Sequence, residues 1–166
     1  MSKGKTLKPL NEAEYMALAE FRYQIRKYLR FMEEKARENG QNPQQYQLIL
    51  AITGLPRDMS PTIGTLAERM QLNHNSMVEL VDRCERRGLL RRSRSDNDRR
   101  QVELVVTEEG NGFLWKMASA GREELRTIGP ILAEAIQHLI SSEATAAKRR
   151  SGGTRKTSGG NKKAAP

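Results

Sequence analysis

The chain has little of what secreted proteins and membrane proteins need. It contains one cysteine in 166 residues, so it cannot form an intramolecular disulfide, a composition typical of a reducing compartment. No apolar run approaches the roughly 18 residues of a membrane span, and the N-terminus lacks the apolar segment of a signal peptide. We therefore expect a cytoplasmic protein with no membrane partner.

Complete catalytic and cofactor motifs are also missing from the sequence. Gly110-Asn111-Gly112 begins a dinucleotide-like glycine pattern, but Trp115 stands where the third glycine belongs. No serine elbow is present, and no pair of carboxylates lies near a histidine. His74 has only Cys84 and His138 as further soft metal ligands, and both lie on distant segments. We expect no enzyme activity, no metal and no cofactor.

The net charge of +9 is distributed unevenly along the chain. Ten of the 29 basic residues lie in two terminal segments without acids, three in residues 1–8 and seven in residues 144–166. The intervening body carries 19 basic and 20 acidic residues, yet residues 83–100 hold eight arginines against three acids. A compact positive surface on a neutral body is typical of proteins that dock phosphate with one face. The alternative is that these arginines merely solvate a helix and a hairpin.

Residues 72–110 predict a helix followed by a β-hairpin. Asn73 is a suitable cap, apolar residues recur at helical spacing from 78 to 84, and Gly88 ends the helix. Surface ion pairs are expected between Glu79 and Arg83 and between Asp82 and Arg86, because in each pair the residues are four apart on the helix. Apolar residues at 102, 104 and 106 predict a strand with one buried face, and the polar run 93–100 before it predicts a solvent-facing loop.

Two helices are predicted before this segment. Asn42-Pro43-Gln44-Gln45 has the pattern of a capping box, and Thr53-Gly54 ends that helix. Ser60-Pro61 repeats the start signal for a third helix of under three turns, and residues 71–73 form the turn to the next helix. Two short helices joined by a tight turn and followed by a hairpin indicate a winged helix-turn-helix, a mainly α (α+β) fold with a small β-hairpin wing.

Long amphipathic helices flank the winged unit. One helix is predicted from residue 11 to residue 38 and ends at Asn39-Gly40. Another begins after Thr107, and Gly121 within it allows a second helix to cross closely. Gly129-Pro130 is expected to break the chain before a last helix. The winged unit is too small to cover the apolar stripes of these helices. We therefore expect them to form a dimerisation region.

Three segments carry a resemblance to a known family. They are residues 63–70, residues 76–90, and Asp98-Arg99-Arg100 placed seven residues before Thr107-Glu108-Glu109-Gly110. Together they resemble the MarR (multiple antibiotic resistance regulator) transcription factors, which are dimeric winged-helix proteins. Ser95 departs from the pattern, because the family usually has there an Asp that pairs with an Arg.

The resemblance implies boundaries for each part of the chain. A basic N-terminal tail covers residues 1–10, and a MarR-type domain covers 11–142. Within that domain residues 42–107 form the DNA-binding unit, and 11–40 with 108–142 form the dimerisation helices. A disordered basic tail covers 143–166, where Gly, Ser and Lys dominate from residue 151 onward.

The helix that begins after Asn73 is expected to enter the major groove with its first turn. Asn75 suits adenine, while Met77 either touches a thymine methyl group or belongs to the core. Residues 60 and 62 are expected to bind phosphate, to cap their own helix, or to do both at once. By resemblance, one of Arg99 and Arg100 reaches the minor groove while the other pairs with an acid of the loop. The predicted DNA-binding residues are Ser60, Thr62, Asn73, His74, Asn75, Ser76, Met77, Arg83, Arg94, Asp98, Arg99 and Arg100.

The family resemblance also implies a small-molecule effector, often an aromatic or phenolic acid. Tyr15, Tyr46 and Trp115 are candidates for lining its cleft, although aromatic residues at helical spacing are as readily explained as core. Redox sensing through Cys84 fits less well than a role as a small buried residue.

The resulting hypothesis is a nucleoid-associated homodimer that binds a palindromic operator in double-stranded DNA and acts as a repressor. The alternative is an architectural, sequence-indifferent DNA-binding protein that uses its basic tails.

Overall fold

The computed structural model describes the backbone of residues 9–94 and 101–151 and the side chains of 9–94 and 101–141. These residues form five helices and one two-stranded antiparallel sheet, as the predicted winged helix-turn-helix requires. The elements are α1 (Glu12–Glu38), α2 (Pro43–Thr53), α3 (Ile63–Arg69), α4 (His74–Arg86), β1 (Leu90–Arg94), β2 (Val102–Val106) and α5 (Glu108–Ser151). The predicted fold class is confirmed.

Local capping chemistry explains where the short helices begin. The Asn42 side chain accepts a hydrogen bond from the backbone N–H of Gln44, and the Gln45 side-chain oxygen accepts one from the Asn42 N–H, so the predicted capping box is present. Gly40 and Gly88 adopt φ of +69° at the ends of α1 and α4, where a side chain would be strained. These glycines stop the helices where the sequence predicted.

A single apolar core lies within residues 25–128. Its buried side chains come from every element of that segment, and α1 contributes Met32 and the fully buried Ala36. The sheet contributes Leu90 and Leu104, whereas Val102, at the far end of the hairpin, is 45% exposed. The predicted buried face of β2 is therefore shorter than its alternation suggested.

The chain divides into two compact units. One comprises residues 25–128 and contains the core just described; the other comprises the described residues before 25 and after 128. In this second unit Ala17, Gln24 and Ala135 are buried, and Gln24 hydrogen bonds to Glu20 at 2.7 Å. Among the described residues, no helix combines the length and apolarity needed to cross a membrane.

Three predicted boundaries are wrong. α5 continues through Pro130 instead of breaking there, since buried residues on both sides, Ile128 and Ala135, favour helix more than one lost hydrogen bond opposes it. Helix α3 begins after Thr62, two residues later than the start signal at Ser60 indicated. Helix α5 extends to Ser151, so residues 143–151 are helical rather than disordered.

Candidate nucleic-acid interface

A tight turn with two backbone hydrogen bonds joins α3 to α4. The backbone N–H of Leu72 donates to the carbonyl of Ala67 at 2.9 Å, and that of Gln71 donates to Glu68 at 3.1 Å. Gln71 has a φ of +54°, a left-handed conformation in which glycine or asparagine is more usual. The two bonds close the end of α3, and α4 begins three residues later.

The first turn of α4 is open to solvent. Asn73 caps it by accepting a hydrogen bond from the Ser76 N–H at 2.8 Å, and His74 and Asn75 are exposed. The opposite face of α4 is fully buried and consists of Met77, Leu80, Val81 and Cys84. One side of the helix is therefore locked into the core while a row of polar groups at its N-terminus faces outward.

Met77 belongs to the core and not to the exposed row. Its side chain has no exposed surface, so of the two interpretations of Met77 the core interpretation is correct. A contact with a thymine methyl group would require the helix to leave its packing. The remaining candidates in this turn are Asn73, His74, Asn75 and Ser76.

The hairpin is held against α4 by an ion-pair cluster that the sequence did not predict. Arg92 of β1 donates through one guanidinium nitrogen to the Asp82 carboxylate at 2.6 Å and through another to Glu85. The backbone N–H of Arg92 also donates to Glu85 at 3.0 Å. We call these three residues, Asp82, Glu85 and Arg92, the clamp.

The clamp corrects two expectations from the sequence. Asp82 pairs with Arg92 and not with Arg86, whose Nε instead donates to the Asp82 backbone carbonyl at 3.3 Å. Arg92 was counted as part of the positive surface, but two carboxylates neutralise it. Burial lowers the pKa of Arg92, but the hydrogen bonds and the negative charges of the two carboxylates together raise it by more, so it stays charged. Acids at 82 and 85, three apart on one helix face, were the available signal.

Four of the arginines between 83 and 94 are exposed. They are Arg86, Arg87, Arg91 and Arg94. Arg83 is partly covered and lies 3.9 Å from Glu79, which confirms that predicted pair, while its Nε is buried without a hydrogen-bond partner. A positive surface thus runs from the end of α4 onto β1.

The base of the hairpin is fixed to the start of α5. Thr107 donates its hydroxyl hydrogen to the carbonyl of Gly88, its N–H donates to Leu89 at 3.1 Å, and its Oγ accepts from the Gly110 N–H at 3.1 Å. This confirms Thr107 as the cap of α5. Gly110 is buried, and a Cβ built there would stand 2.0 Å from the Leu89 carbonyl oxygen. Only glycine permits this approach.

The remaining predicted contacts lie around α3 and the loop. Thr62 is the cap of α3, accepting from the Thr65 N–H at 3.2 Å, and Ser60 lies half-buried two residues before it. Arg94 is the last described residue of β1, paired with Val102 across the sheet. Residues 95–100, which include Ser95, Asp98, Arg99 and Arg100, lie outside the described residues.

Cys84 has the environment of a small core residue. It is fully buried, and burial raises the pKa of its thiol to about 12, although Arg83 and a hydrogen bond with Gln45 both lower it. A thiol that stays protonated at neutral pH is a poor nucleophile, which agrees with the interpretation of Cys84 as a buried hydrophobe.

The three candidate effector residues have different environments, and they do not all belong to one compact unit. Tyr46 is buried and packs edge-to-face on Phe113, with ring centroids 6.3 Å apart, so its role is in the core. Trp115 is 71% exposed on α5, and Tyr15, 60% exposed, belongs to the other compact unit. A cavity of about 530 Å³ within residues 25–128 contains none of these three; it is lined by Asn39, Gln41, Glu108, Glu109, Gly112, Phe113 and Lys116.

Comparison with known proteins relates a segment of this chain to a known family. The MarR family model matches residues 39–101, which include α2, the helix-turn-helix and β1. This segment of the chain is similar to the MarR family, and the described elements of the chain have the order of a MarR winged helix. The resemblance drawn from the sequence is confirmed.

Individual MarR relatives match parts or most of the chain. The transcriptional repressor MdtR of Bacillus subtilis is 28% identical over 94 residues, which is 57% of this chain and 58% of MdtR. The chain thus spans a little over half the length of that relative. The fold of AbsC, a MarR regulator from Streptomyces coelicolor, covers 88% of this chain and 99% of AbsC at a TM-score of 0.62 and 21% identity. The structure of a MepR mutant of S. aureus bound to an oligodeoxyribonucleotide aligns with 82% of this chain and 96% of the MepR chain. The TM-score of that alignment is 0.56, and the sequence identity is 18%.

Proposed function

We propose that this MarR protein is a transcriptional regulator that recognises a specific sequence in double-stranded DNA. One observation carries the proposal: α4 presents His74 and Asn75 at an open N-terminal turn while its opposite face is fixed in the core. A rigid helix with exposed amide and imidazole groups at one end suits the major groove, where each base pair presents a distinct set of donors and acceptors.

The exposed arginines beside α4 supply the complementary charge. Arg86 and Arg87 lie at the end of α4, and Arg91 and Arg94 lie on β1. A guanidinium group can bind two phosphate oxygens at once. Thr62 and Ser60, near the start of α3, remain predicted phosphate contacts, as does Arg83. One of Arg99 and Arg100 remains the predicted minor-groove contact, and the other is expected to pair with Asp98. The oligonucleotide complex of the MepR mutant supports DNA as the ligand of this fold.

The terminal helices support a homodimer on a palindromic operator. Large apolar side chains are exposed in the unit formed by residues before 25 and after 128: Tyr15, Met16, Tyr23, Ile131, Ile136 and Ile140. Exposed apolar side chains on this scale mark protein interaction sites. Two copies related by a two-fold axis would present two α4 helices to two half-sites. We infer that the protein acts as a repressor in the cytoplasm, associated with the nucleoid.

Selection of binding sites from a random DNA pool tests this proposal. A specific regulator should enrich one palindrome and bind it at least about 10³-fold more tightly than scrambled DNA. Enrichment of no motif, with equal affinity for every sequence, would refute it and favour the alternative, an architectural protein that uses its basic tails.

Matched variants then test the assignment of α4. Asn75→Ala should weaken binding to the selected site by about 5- to 150-fold, the value of one bidentate base contact, and leave scrambled DNA unaffected. Gln47→Ala, an equally exposed amide on α2, is the control and should change neither. If Asn75→Ala and Gln47→Ala behave alike, α4 does not read the bases through Asn75.

An aromatic or phenolic acid effector remains part of the proposal. Because Tyr46 is a core residue, Trp115 and Tyr15 are the candidate residues that stay accessible. A thermal-shift screen with phenolic acids, repeated with Trp115→Ala, tests whether Trp115 takes part.

A further inference from the structure

The clamp joins the two parts of the candidate interface. Its two acids lie on α4 and its arginine lies on β1, so three hydrogen bonds cross from the helix to the hairpin at one point. Arg92 is 30% exposed and Glu85 is 38% exposed, which leaves the cluster partly shielded from water. Charge-assisted bonds in a bidentate arrangement fix direction as well as distance.

The hairpin depends on such a tether because it has no third strand. A two-stranded ribbon is marginal on its own, and this one packs through Leu90 at its base and through Leu104, which lies opposite Arg92 and donates its N–H to the Pro61 carbonyl at 2.9 Å. Those contacts of Leu104 hold β2, whereas β1 is bonded to α4 at Arg92, and Arg94 lies about 7 Å beyond Arg92 at the usual rise of a strand. The clamp is therefore the outermost described attachment of β1 to α4, and any tilt there grows towards the tip of the wing.

We propose that Arg92 is a positioning residue: it sets the orientation of the wing relative to α4 through Asp82 and Glu85, and it is not itself a phosphate contact. The proposal rests on the proposed function, since it assigns a role within the same DNA interface. The clamp carries a net charge of −1, so it offers phosphate no attraction. Among the described residues, the exposed Arg91, one residue earlier on the same strand, forms no ion pair within 4.0 Å.

The first test needs no DNA. In Arg92→Met, hydrogen exchange at the amides of β1 and β2 should speed up by about 10-fold, as expected for the loss of about 1.4 kcal/mol of local attachment. The amides of α2 should be unaffected. Arg91→Met is the matched control and should leave all of them unchanged. Equal exchange in Arg92→Met and the unmodified protein would overturn the proposal.

The second test is a double-mutant cycle on the selected DNA site. Arg92→Met should weaken specific binding by about 10-fold in the full protein, but by less than about 2-fold when Arg99 and Arg100 are already alanine, because the wing it positions then contributes little. Arg91→Met should have the same effect in both backgrounds. An equal loss for Arg92→Met in both backgrounds would show that Arg92 contacts DNA directly, which refutes positioning.

Two further measurements separate the possible failures. Arg92→Lys keeps the positive charge but cannot reproduce the planar fork, so it should behave like Arg92→Met; full affinity in Arg92→Lys would contradict the proposal. If Arg92→Met does not fold, Asp82→Asn opens the same clamp more mildly and should give the same pattern of exchange. Failure of the unmodified protein to prefer any DNA site would refute the proposed function, while the exchange experiment would still decide whether the clamp holds the hairpin.

Discussion

Gly110 offers the sharpest test of how the hairpin is anchored. A Cβ at this position would stand 2.0 Å from the Leu89 carbonyl oxygen, 2.9 Å from its carbonyl carbon and 2.8 Å from a methyl group of Val106. Non-bonded heavy atoms prefer about 3.5–4.0 Å, so Gly110→Ala must push α5 and the hairpin base apart by more than about 1 Å. The obstacle is backbone, which no side-chain rotation can remove.

The cost of that displacement can be worked out from the bonds it breaks. The bonds from the Thr107 N–H to Leu89 and from the Thr107 hydroxyl to Gly88 span this gap, and each contributes about 1 kcal/mol. Overpacking adds about 1–3 kcal/mol, and alanine returns about 1 kcal/mol through its helix propensity. Gly110→Ala should therefore lower the free energy of unfolding by about 3 kcal/mol.

Gly112 supplies the matched control on the same helix. A Cβ there meets nothing within 4 Å, so Gly112→Ala should gain about 1 kcal/mol from propensity alone. Urea unfolding of both variants at one protein concentration measures the difference, expected to be about 4 kcal/mol with unchanged slopes. If Gly110→Ala lies within about 1 kcal/mol of the unmodified protein, or Gly112→Ala loses as much, the close approach of α5 to Leu89 is refuted.

Two further predictions concern buried positions of the same core. Cys84, with its thiol pKa raised to about 12, should resist thiol reagents at pH 8 in the native protein and react fully in denaturant. Because the folded state favours the protonated thiol, the contribution of Cys84 to the free energy of unfolding should be constant below the ordinary pKa of 9.0 and should be lost as the pH rises from there towards 12. Rapid native-state labelling at pH 8 would contradict this burial. In Gly121→Ala the new Cβ would stand 2.9 Å from the Tyr28 hydroxyl and 3.0 Å from the Met32 sulfur, and both of these atoms are at the ends of flexible side chains. Because these side chains can change rotamer, the substitution should lower the free energy of unfolding, measured with urea, by less than about 1 kcal/mol. A decrease as large as that of Gly110→Ala would contradict this rotamer change.

Short-range signals were enough to predict most of the helix ends. Asn42, Asn73 and Thr107 are caps in the structure because a side-chain oxygen next to free N–H groups acts over two or three residues. Pro130 shows the limit of such signals. Its missing N–H is a local fact, but whether a helix survives it depends on the packing of residues on either side.

The side-chain pairing of the interface was harder to predict. Glu79 with Arg83 followed from helical spacing, whereas Asp82 with Arg92 joins a helix to a strand ten residues later. Met77 and Tyr46 were assigned possible contacts with ligands, and the structure buries both. Residue type alone does not distinguish an apolar side chain at the edge of a helix face from one at its centre.

The sequence by itself determined the class of fold, the order of its elements, the caps that start its helices and the resemblance to the MarR family, because these follow from the periodicity and chemistry of neighbouring residues. Only the tertiary structure decided which arginines stay exposed, which one is neutralised in the clamp, and why Gly110 tolerates no side chain. Those properties depend on atoms brought together from segments far apart in the chain, such as the Leu89 carbonyl above Gly110, and no local pattern records that distance.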